Sequence, residues 1–203
     1  MQKYVFYDFE TTGISPAFDQ PLQFAAIITD ENFKAIERIN IRCQAAPHIL
    51  PSPYALKVTK IDPEKTADKS LPTAFNFAQT LQRFTEELAP ACWIGYNSIA
   101  FDETMMRQMF YQNLQPEIFA TQINGNSRLD VMKMVFATYS EAPGVLTWPV
   151  SDNGNTSFKL DRLAPANGFA HENAHDALAD VEATIFIFKK IRDGAPELFK
   201  KLV

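Results

Sequence analysis

The 203-residue sequence has only two cysteines, Cys43 and Cys92, which lie far apart in apolar surroundings. A disulfide framework or a cysteine-based metal site needs more cysteines at closer spacing, so both are predicted to be buried, reduced thiols. The sequence also lacks an apolar run long enough to cross a bilayer, and its first residues do not pair a basic segment with an apolar one. We therefore expect a soluble, cytoplasmic protein without membrane association.

Positive charge is scarce as well. The chain has 19 Lys and Arg against 24 Asp and Glu, which gives a net charge of −5. Such a balance argues against a nucleic-acid-binding protein, whose binding surface is usually basic. This argument from net charge applies only in part to a metal-dependent nuclease. Where acids are clustered on divalent cations, the count of acids overstates the negative potential that a phosphate meets. Composition therefore leaves the partner open.

The length and the hydrophobic pattern favour a single α/β domain with one substantial core. No internal repeat divides the chain. Three strand-like segments with short links predict antiparallel neighbours, and helices then alternate with a short, fully apolar strand. The predicted strands are 4–13, 21–29, 33–41 and 92–96, and the main predicted helices are 73–88, 100–112, 160–166 and 176–192. This order predicts a mixed sheet flanked by helices.

Two carboxylates, those of Asp8 and Glu10, interrupt the apolar pattern of the first strand. Because alternate residues of a strand share a face, Asp8 and Glu10 lie beside Phe6, whereas Val5 and Tyr7 lie on the opposite face. Burying an unpaired carboxylate is unfavourable by several kcal/mol, roughly, so the pair needs a cation, a shared proton or solvent. A divalent metal meets this need, and an edge strand that runs into a polar turn is the alternative.

Further candidate residues lie at the starts of two predicted helices. Asp102 follows the apolar strand at the edge where α/β sheets commonly bind ligands. The alternative is that this acid only stabilises its helix, by interacting with the helix dipole from the first turn. Asp176 and Asp180 share one helix face at a spacing of i, i+4. If that helix begins at Asp176, this residue caps it, and His175 lies in the preceding loop, free to reach over the site.

The sequence resembles the DEDDh exonucleases in three motifs that occur in the family's order and spacing: DFETTG, GYNSIAFD and HDALADVEAT. Other segments resemble the bacterial exonuclease I family in particular, among them FDQPLQFAAIITD, NSRLDVM and SFKLDRLAPANG. The resemblance implies a ribonuclease H-like fold and one DEDDh exonuclease domain at 1–203. It also implies a 3′→5′ exonuclease that hydrolyses single-stranded DNA from its 3′-hydroxyl end to nucleoside 5′-monophosphates, in DNA repair or recombination.

The resemblance assigns chemical roles to five residues. His175 would be the general base that takes a proton from the attacking water. Two Mg²⁺ ions about 3.5 to 4 Å apart, with Mn²⁺ able to substitute, would activate that water and stabilise the leaving 3′-oxygen. The implied metal ligands are the acids of the three motifs, Asp8, Glu10, Asp102 and Asp180.

Substrate-binding roles are implied for a second group of residues. Glu10 and the backbone that follows it would meet the terminal 3′-hydroxyl and sugar. Arg107 and Arg128 match basic positions of the family and would contact phosphates, although either can equally be a solvated charge on a helix or turn. Lys159 stands where the family typically has arginine. A lysine keeps the positive charge but loses the bidentate phosphate geometry of arginine. The backbone contacts are those of Thr11, Thr12 and Gly13.

Members of the exonuclease I family continue into an SH3-like domain and a helical domain, which are absent from these 203 residues. Contact with single-stranded-DNA-binding protein would depend on those absent domains, and we expect a monomer that binds single-stranded DNA. Two alternatives stay open. One is a proofreading subunit or a small RNA 3′-exonuclease of the same superfamily, and the other is a non-catalytic nucleic-acid-binding module.

Overall fold

A five-stranded mixed sheet organises the protein, of which the computed structural model describes residues 3–170 and 176–203. The strand order across the sheet is β3-β2-β1-β4-β5. Antiparallel pairing joins β1, β2 and β3, while β4 runs parallel to β1 and β5 parallel to β4. The strands are β1 (Lys3–Thr11), β2 (Pro21–Thr29), β3 (Ala35–Arg42), β4 (Ala91–Gly95) and β5 (Ser127–Asp130). The predicted mixed sheet is confirmed, and β5 is a strand that the sequence pattern did not indicate.

Eight α-helices cover this sheet in the described part of the chain. Four of these helices begin after a side-chain cap: Asp62, Thr73, Asp130 and Asp176 each accept a hydrogen bond from the backbone of the first turn that follows. None of these helices is long and apolar enough to cross a membrane. The helices are α1 (Pro53–Thr59), α2 (Pro63–Thr66), α3 (Ala74–Leu88), α4 (Asp102–Gln112), α5 (Val131–Glu141), α6 (Leu160–Ala166), α7 (Ala177–Gly194) and α8 (Pro196–Leu202).

The alternation of side chains along β1 divides the core into two halves. Phe6 packs with Ile94 and with Val181 of α7, on the face that also carries α5 and α6. Val5 and Tyr7 pack on the opposite face, against α3 and α4. Asp8 and Glu10 share the face of Phe6, so they point toward the side of the sheet that α7 covers. The predicted division of β1 into two faces is therefore confirmed.

The helical period predicts an apolar stripe along α7 made of Leu178, Val181, Ile185 and Phe188, but more of this helix is buried than that stripe. Val181 and Phe188 are fully buried as expected, but Leu178 and Ile185 are only partly covered. Ile187, outside the predicted stripe, is fully buried. The reason is that α7 packs against β1 and β2 on one side and against α5, α6 and α8 on others. Because it has several neighbours, a single stripe at helical spacing does not describe its contact surface.

Both cysteines are buried free thiols, as the sequence predicted. Burial raises the pKa of the Cys43 thiol to about 12, and a hydrogen bond from Gln20 opposes this only in part. A thiol with such a raised pKa stays protonated and unreactive at neutral pH. The cysteines therefore belong to the packing of the fold.

Candidate active site

Three carboxylates meet where β1 passes under the first turn of α7. Asp8 and Glu10 come from β1, and Asp180 comes from α7, one turn after its cap. One oxygen of each of the three side chains lies within 4.8 Å of the others. Glu10 is buried, and the other two acids are partly buried. The structure thus brings together three of the four acids that the motifs predicted as metal ligands.

The fourth acid, Asp102, approaches the same stretch of β1 from the other neighbouring strand. The pairing of β1 with β4 ends at Phe6 and Ile94, so the following edge of β1 is open to side chains. Asp102 begins α4 beyond the end of β4, and its Oδ1 accepts a 3.1 Å hydrogen bond from the backbone N–H of Phe9. Only 2% of Asp102 is exposed. Its carboxylate is therefore fixed to the backbone between Asp8 and Glu10.

The acids of this cluster lie close together without enough positive charge nearby to offset their mutual repulsion. Burial, and then repulsion from the neighbouring acids Asp102, Asp180 and Glu10, raises the pKa of Asp8 well above its usual range. The same two causes raise the pKa of Glu10 to about 9, although Arg42 opposes the shift. Each charged carboxylate makes the ionisation of the others harder.

Burial is also the main reason that the pKa of Asp102 is raised to about 8. Hydrogen bonds from the backbone, including that of Phe9, stabilise the charged form and oppose the shift. Strongly raised carboxyl pKa values in one cleft are typical of functional sites.

A divalent cation fits this donor set. The site offers carboxylate oxygens, which are the ligands that hard cations such as Mg²⁺, Mn²⁺ and Ca²⁺ prefer. Bound positive charge would also relieve the repulsion that raises the pKa values of Asp8 and Glu10. The cluster of Asp8, Glu10 and Asp180 can therefore hold a metal ion.

The turn after β1 is fixed by a carboxylate that the sequence did not single out. Asp19 accepts 2.9 Å hydrogen bonds from the Thr12 hydroxyl and from the backbone N–H of Ser15. Gly13 has no room for a side chain, since an added Cβ would lie 2.4 Å from the Asp19 carboxylate. The Thr11 hydroxyl donates to the carbonyl of Gly13 at 2.6 Å. The predicted substrate-binding backbone is therefore held in one conformation beside Glu10.

The predicted phosphate-binding cations occupy different kinds of environment. Lys159 is exposed and precedes α6. Arg107 donates from Nε to the carbonyl of Glu103 at 3.1 Å and lies over the Phe119 ring, with 5.7 Å from Cζ to the ring centroid. Arg128 lies 3.4 Å from the carboxylate of Glu103 and is mostly covered. Phosphate contact by Lys159 and Arg107 stays a prediction, whereas for Arg128 the ion pair with Glu103 supports a different prediction, that of a contact inside the protein.

Glu103 is a buried acid that sequence reasoning missed. It accepts hydrogen bonds from the Tyr7 hydroxyl at 2.8 Å and from the Thr121 hydroxyl at 2.7 Å, in addition to its pairing with Arg128. Tyr7 belongs to the opposite face of β1 from Asp8, so Glu103 lies behind the acidic cluster. Its position directly after Asp102 was the available signal, but its partners are distant in sequence.

His175, the predicted general base, lies outside the residues that the structure describes, so its role stays a prediction. Asp176, the next residue, caps α7 as predicted, because its Oδ1 accepts a 3.1 Å hydrogen bond from Leu178 N–H. Asp176 also raises the pKa values of Asp8 and Glu10. This charge makes it part of the electrostatic surroundings of the cluster, which the capping pattern alone did not indicate.

With this geometry in hand, comparison with known proteins identifies the family. The family model described as "Exonuclease" (RNase_T) matches residues 5–188, which include all four acids described above. The chain belongs to this exonuclease family. A relative among characterised proteins, exodeoxyribonuclease I of Haemophilus influenzae, is 41% identical over 196 residues, which is 96% of this chain and 41% of that protein.

Solved structures of Escherichia coli exonuclease I have the same fold as this exonuclease-family chain. A crystal structure with a dT13 oligonucleotide matches with a TM-score of 0.92 at 36% identity, covering 99% of this chain and 43% of that one. Other matching structures are an ExoI/SSB-Ct complex and a zinc-ion-bound form of an E. coli ExoI complex with single-stranded DNA. This chain therefore spans about two-fifths of the length of these relatives.

Proposed function

We propose that the protein is a metal-dependent 3′→5′ exonuclease that hydrolyses single-stranded DNA from its 3′-hydroxyl end and releases nucleoside 5′-monophosphates. The observation that carries this proposal is the meeting of Asp8, Glu10 and Asp180 within 4.8 Å, with Asp102 fixed to the same segment of β1. The family membership and the oligonucleotide complex of the E. coli relative support the choice of substrate.

In this proposal the four acids hold two Mg²⁺ ions, for which Mn²⁺ can substitute. The zinc-bound form of the E. coli relative supports a site for divalent cations. When bound, such cations supply Lewis-acid stabilisation of the reacting phosphate and make a water nucleophilic at neutral pH. The rigid attachment of Asp8 and Glu10 to β1 and of Asp102 to the Phe9 N–H keeps the acidic cluster preorganised.

The remaining predicted residues act on the substrate and on the proton. His175 takes the proton of the attacking water, a contribution on the order of a hundred- to ten-thousand-fold in rate. Glu10 and the backbone of Thr11, Thr12 and Gly13 bind the terminal sugar and its 3′-hydroxyl. Arg107 and Lys159 contact phosphates of the strand. The fixed turn around Asp19 supports the role of the backbone, because its conformation is set before substrate arrives.

We further propose that residues 1–203 form one exonuclease domain, since one mixed sheet and its covering helices account for the described chain. The relatives are longer, so contact with single-stranded-DNA-binding protein is proposed only on the basis of the solved ExoI/SSB-Ct complex. A role in DNA repair or recombination would place the protein in the cytoplasm with its DNA.

A gel time course on 5′-labelled strands tests the function. The substrates are single-stranded DNA, RNA of matched sequence and DNA with a 3′-phosphate, each with Mg²⁺ and with a chelator. We expect a Mg²⁺-dependent ladder on 3′-hydroxyl DNA, weaker cleavage of RNA and no cleavage of the 3′-phosphate strand. Stronger cleavage of RNA would move the protein to the ribonucleases of the superfamily, and no cleavage at all would favour a non-catalytic module.

Two variants and a matched control assign the activity to the acidic cluster. Asp8→Ala and Asp180→Ala should each abolish the ladder. Asp193→Ala changes the same residue type on the same helix as Asp180, but 13 residues further along, which is about 20 Å. Asp193 pairs with Arg192 on the surface, and its variant should cleave like the parent protein.

A further inference from the structure

A row of three polar side chains crosses the sheet from the acidic cluster to its edge. Glu10 on β1 pairs with Gln23 on β2, and Gln23 pairs with Arg42 at the end of β3. Directly paired residues of adjacent strands point to the same face, so the three side chains share the face that α7 covers. With about 4.8 Å between strands, the Arg42 Cα lies about 10 Å from that of Glu10.

Arg42 extends from this row to the start of α7. Its Nη2 lies 3.6 Å from Oδ2 of Asp176, while Oδ1 of the same carboxylate caps the helix. Arg42 is thus a cation at the rim of a site whose neighbouring acids repel a phosphate.

The guanidinium of Arg42 is accessible and loosely held. Its side chain is 42% exposed, and that of Asp176 is 41% exposed. Ion pairs with this exposure and length contribute little to stability, typically about 0 to 1 kcal/mol, so exchanging the partner is easy. Arg42 can therefore exchange Asp176 for a phosphate oxygen at modest cost.

We propose that Arg42 is a substrate-binding residue. When a single strand binds, Arg42 gives up its ion pair with Asp176 and contacts a backbone phosphate near the 3′ end of that strand. This inference rests on the proposed function. Arginine suits the role because its planar fork matches two phosphate oxygens and stays charged. The ion pair with Asp176 holds the side chain at the rim until the strand arrives.

The fold supplies a matched control for this proposal. Arg38 lies four residues before Arg42, on the same face of β3, and forms an ion pair with Glu182 of α7. The two arginines thus make the same kind of link between the same two elements. Arg38 is comparably exposed, at 51%, but through Ile27 it lies in register with Phe6 rather than with an acid of the cluster. Arg38→Ala therefore removes a β3–α7 ion pair without removing the proposed phosphate contact.

The experiment measures binding of a fluorescein-labelled single-stranded oligothymidine by anisotropy at several KCl concentrations, with Ca²⁺ in place of Mg²⁺ and gels confirming that the strand stays intact. Arg42→Ala should weaken binding on the order of tenfold at low salt. It should also reduce the slope of log K against log salt by about 0.7, the value for one phosphate contact on a single strand. Arg42→Lys should keep the slope, and Arg38→Ala should match the parent protein.

Asp176→Asn adds a second, independent measurement. The amide oxygen can still cap α7, but the negative partner of Arg42 is lost. Binding should become tighter in the parent background, and the gain should be smaller when Arg42 is already alanine. Thermal unfolding of each variant checks that the fold is retained.

The outcomes separate this inference from the proposed function. If the parent protein binds and cleaves the strand but Arg42→Ala has the affinity and salt slope of Arg38→Ala, the inference is overturned and the function stands. Equal gains from Asp176→Asn in both backgrounds would also overturn it. If the parent protein neither binds nor cleaves single-stranded DNA, the proposed function fails and the inference fails with it.

Discussion

Oδ1 of Asp102 accepts a 3.1 Å hydrogen bond from the backbone N–H of Phe9, the residue between Asp8 and Glu10. This bond joins the first turn of α4 to the open edge of β1 beyond the end of β4. Asp102 therefore has two functions, because it supplies negative charge to the acidic cluster and satisfies a buried backbone donor. Two substitutions can separate these functions.

Asp102→Asn should remove activity while keeping the fold. The amide oxygen can still accept from Phe9 N–H, but the charge that helps to hold divalent cations is lost. We expect a fall in the cleavage rate of at least about hundredfold, as for groups that support metal ligands. Without divalent cations the variant should be as stable as the parent protein or more so, because the amide is neutral without the proton that Asp102 must bind on folding.

Asp102→Ala should lose both functions. The N–H of Phe9 would be left without its partner, which costs about 1 to 3 kcal/mol of unfolding free energy. Urea unfolding of the two variants in a chelator measures the difference between them. Equal stability of the asparagine and alanine variants would show that the hydrogen bond contributes nothing to the fold.

The raised carboxyl pKa values predict how stability depends on pH in the absence of divalent cations. The pKa of Glu10 rises from 4.5 to about 9 in the folded protein, and that of Asp102 rises to about 8. At pH values between the ordinary pKa of each acid and its pKa in the folded protein, the folded state binds more protons than the unfolded state. Stability should therefore fall as pH rises from about 5 to 9.

Added Mg²⁺ should reverse this loss of stability, and the effect should grow with pH. Near pH 5 Glu10 and Asp102 are largely protonated, so the ion gains little by binding. Near pH 8 it should raise the melting temperature clearly, and Glu10→Gln should reduce both the pH dependence and the Mg²⁺ effect. Melting curves at pH 5 and pH 8, with Mg²⁺ or a chelator, measure this. A Mg²⁺ shift of the same size at both pH values would contradict it.

The sequence predicted those parts of the site that are local in the chain. The shared face of Asp8 and Glu10 follows from the alternation of β1, and the capping of α7 by Asp176 follows once the helix is taken to begin there. The hydrogen bond from Phe9 to Asp102 could not be predicted, because it depends on where β4 ends against β1. The approach of Arg42 to Asp176 likewise depends on the register of β3 with β2.

The same distinction explains the errors in the fold. Helix α6 was predicted with its observed ends, since its sequence pattern is local. The short strand β5 was missed, because its four residues become a strand through pairing with β4. The buried side of α7 was only partly predicted, since β2, α5, α6 and α8 pack against that helix in addition to β1. Contacts between distant segments override local pattern in each of these cases.

Arg128 is predicted to act through Glu103 rather than through DNA. Its guanidinium lies 3.4 Å from a carboxylate that is only 2% exposed, so its removal leaves that acid with two hydroxyl donors and no cation. Arg128→Ala should lower the unfolding free energy by about 1 to 3 kcal/mol. Glu103→Ala should cost about 3 kcal/mol, because it leaves Tyr7 and Thr121 unpaired and removes a buried ion-pair partner.

The salt dependence of DNA binding completes the test of Arg128. Arg107→Ala should reduce the slope of log K against log salt by about 0.7, whereas Arg128→Ala should leave it unchanged. Urea unfolding and anisotropy on the same preparations measure both quantities. A reduced slope for Arg128→Ala with unaltered stability would instead assign Arg128 to the substrate.

Gly13→Ala should disturb the turn that is proposed to bind the terminal nucleotide. The new Cβ would lie 2.4 Å from the Asp19 carboxylate, which cannot move without losing its hydrogen bonds from Thr12 and Ser15. We expect a loss of about 1 to 3 kcal/mol in stability and a raised KM for the oligonucleotide. Gly144→Ala is the matched control, since its Cβ would have no heavy atom within 4 Å. If the two variants have the same melting temperature and KM, the turn does not depend on the close approach of Gly13 and Asp19.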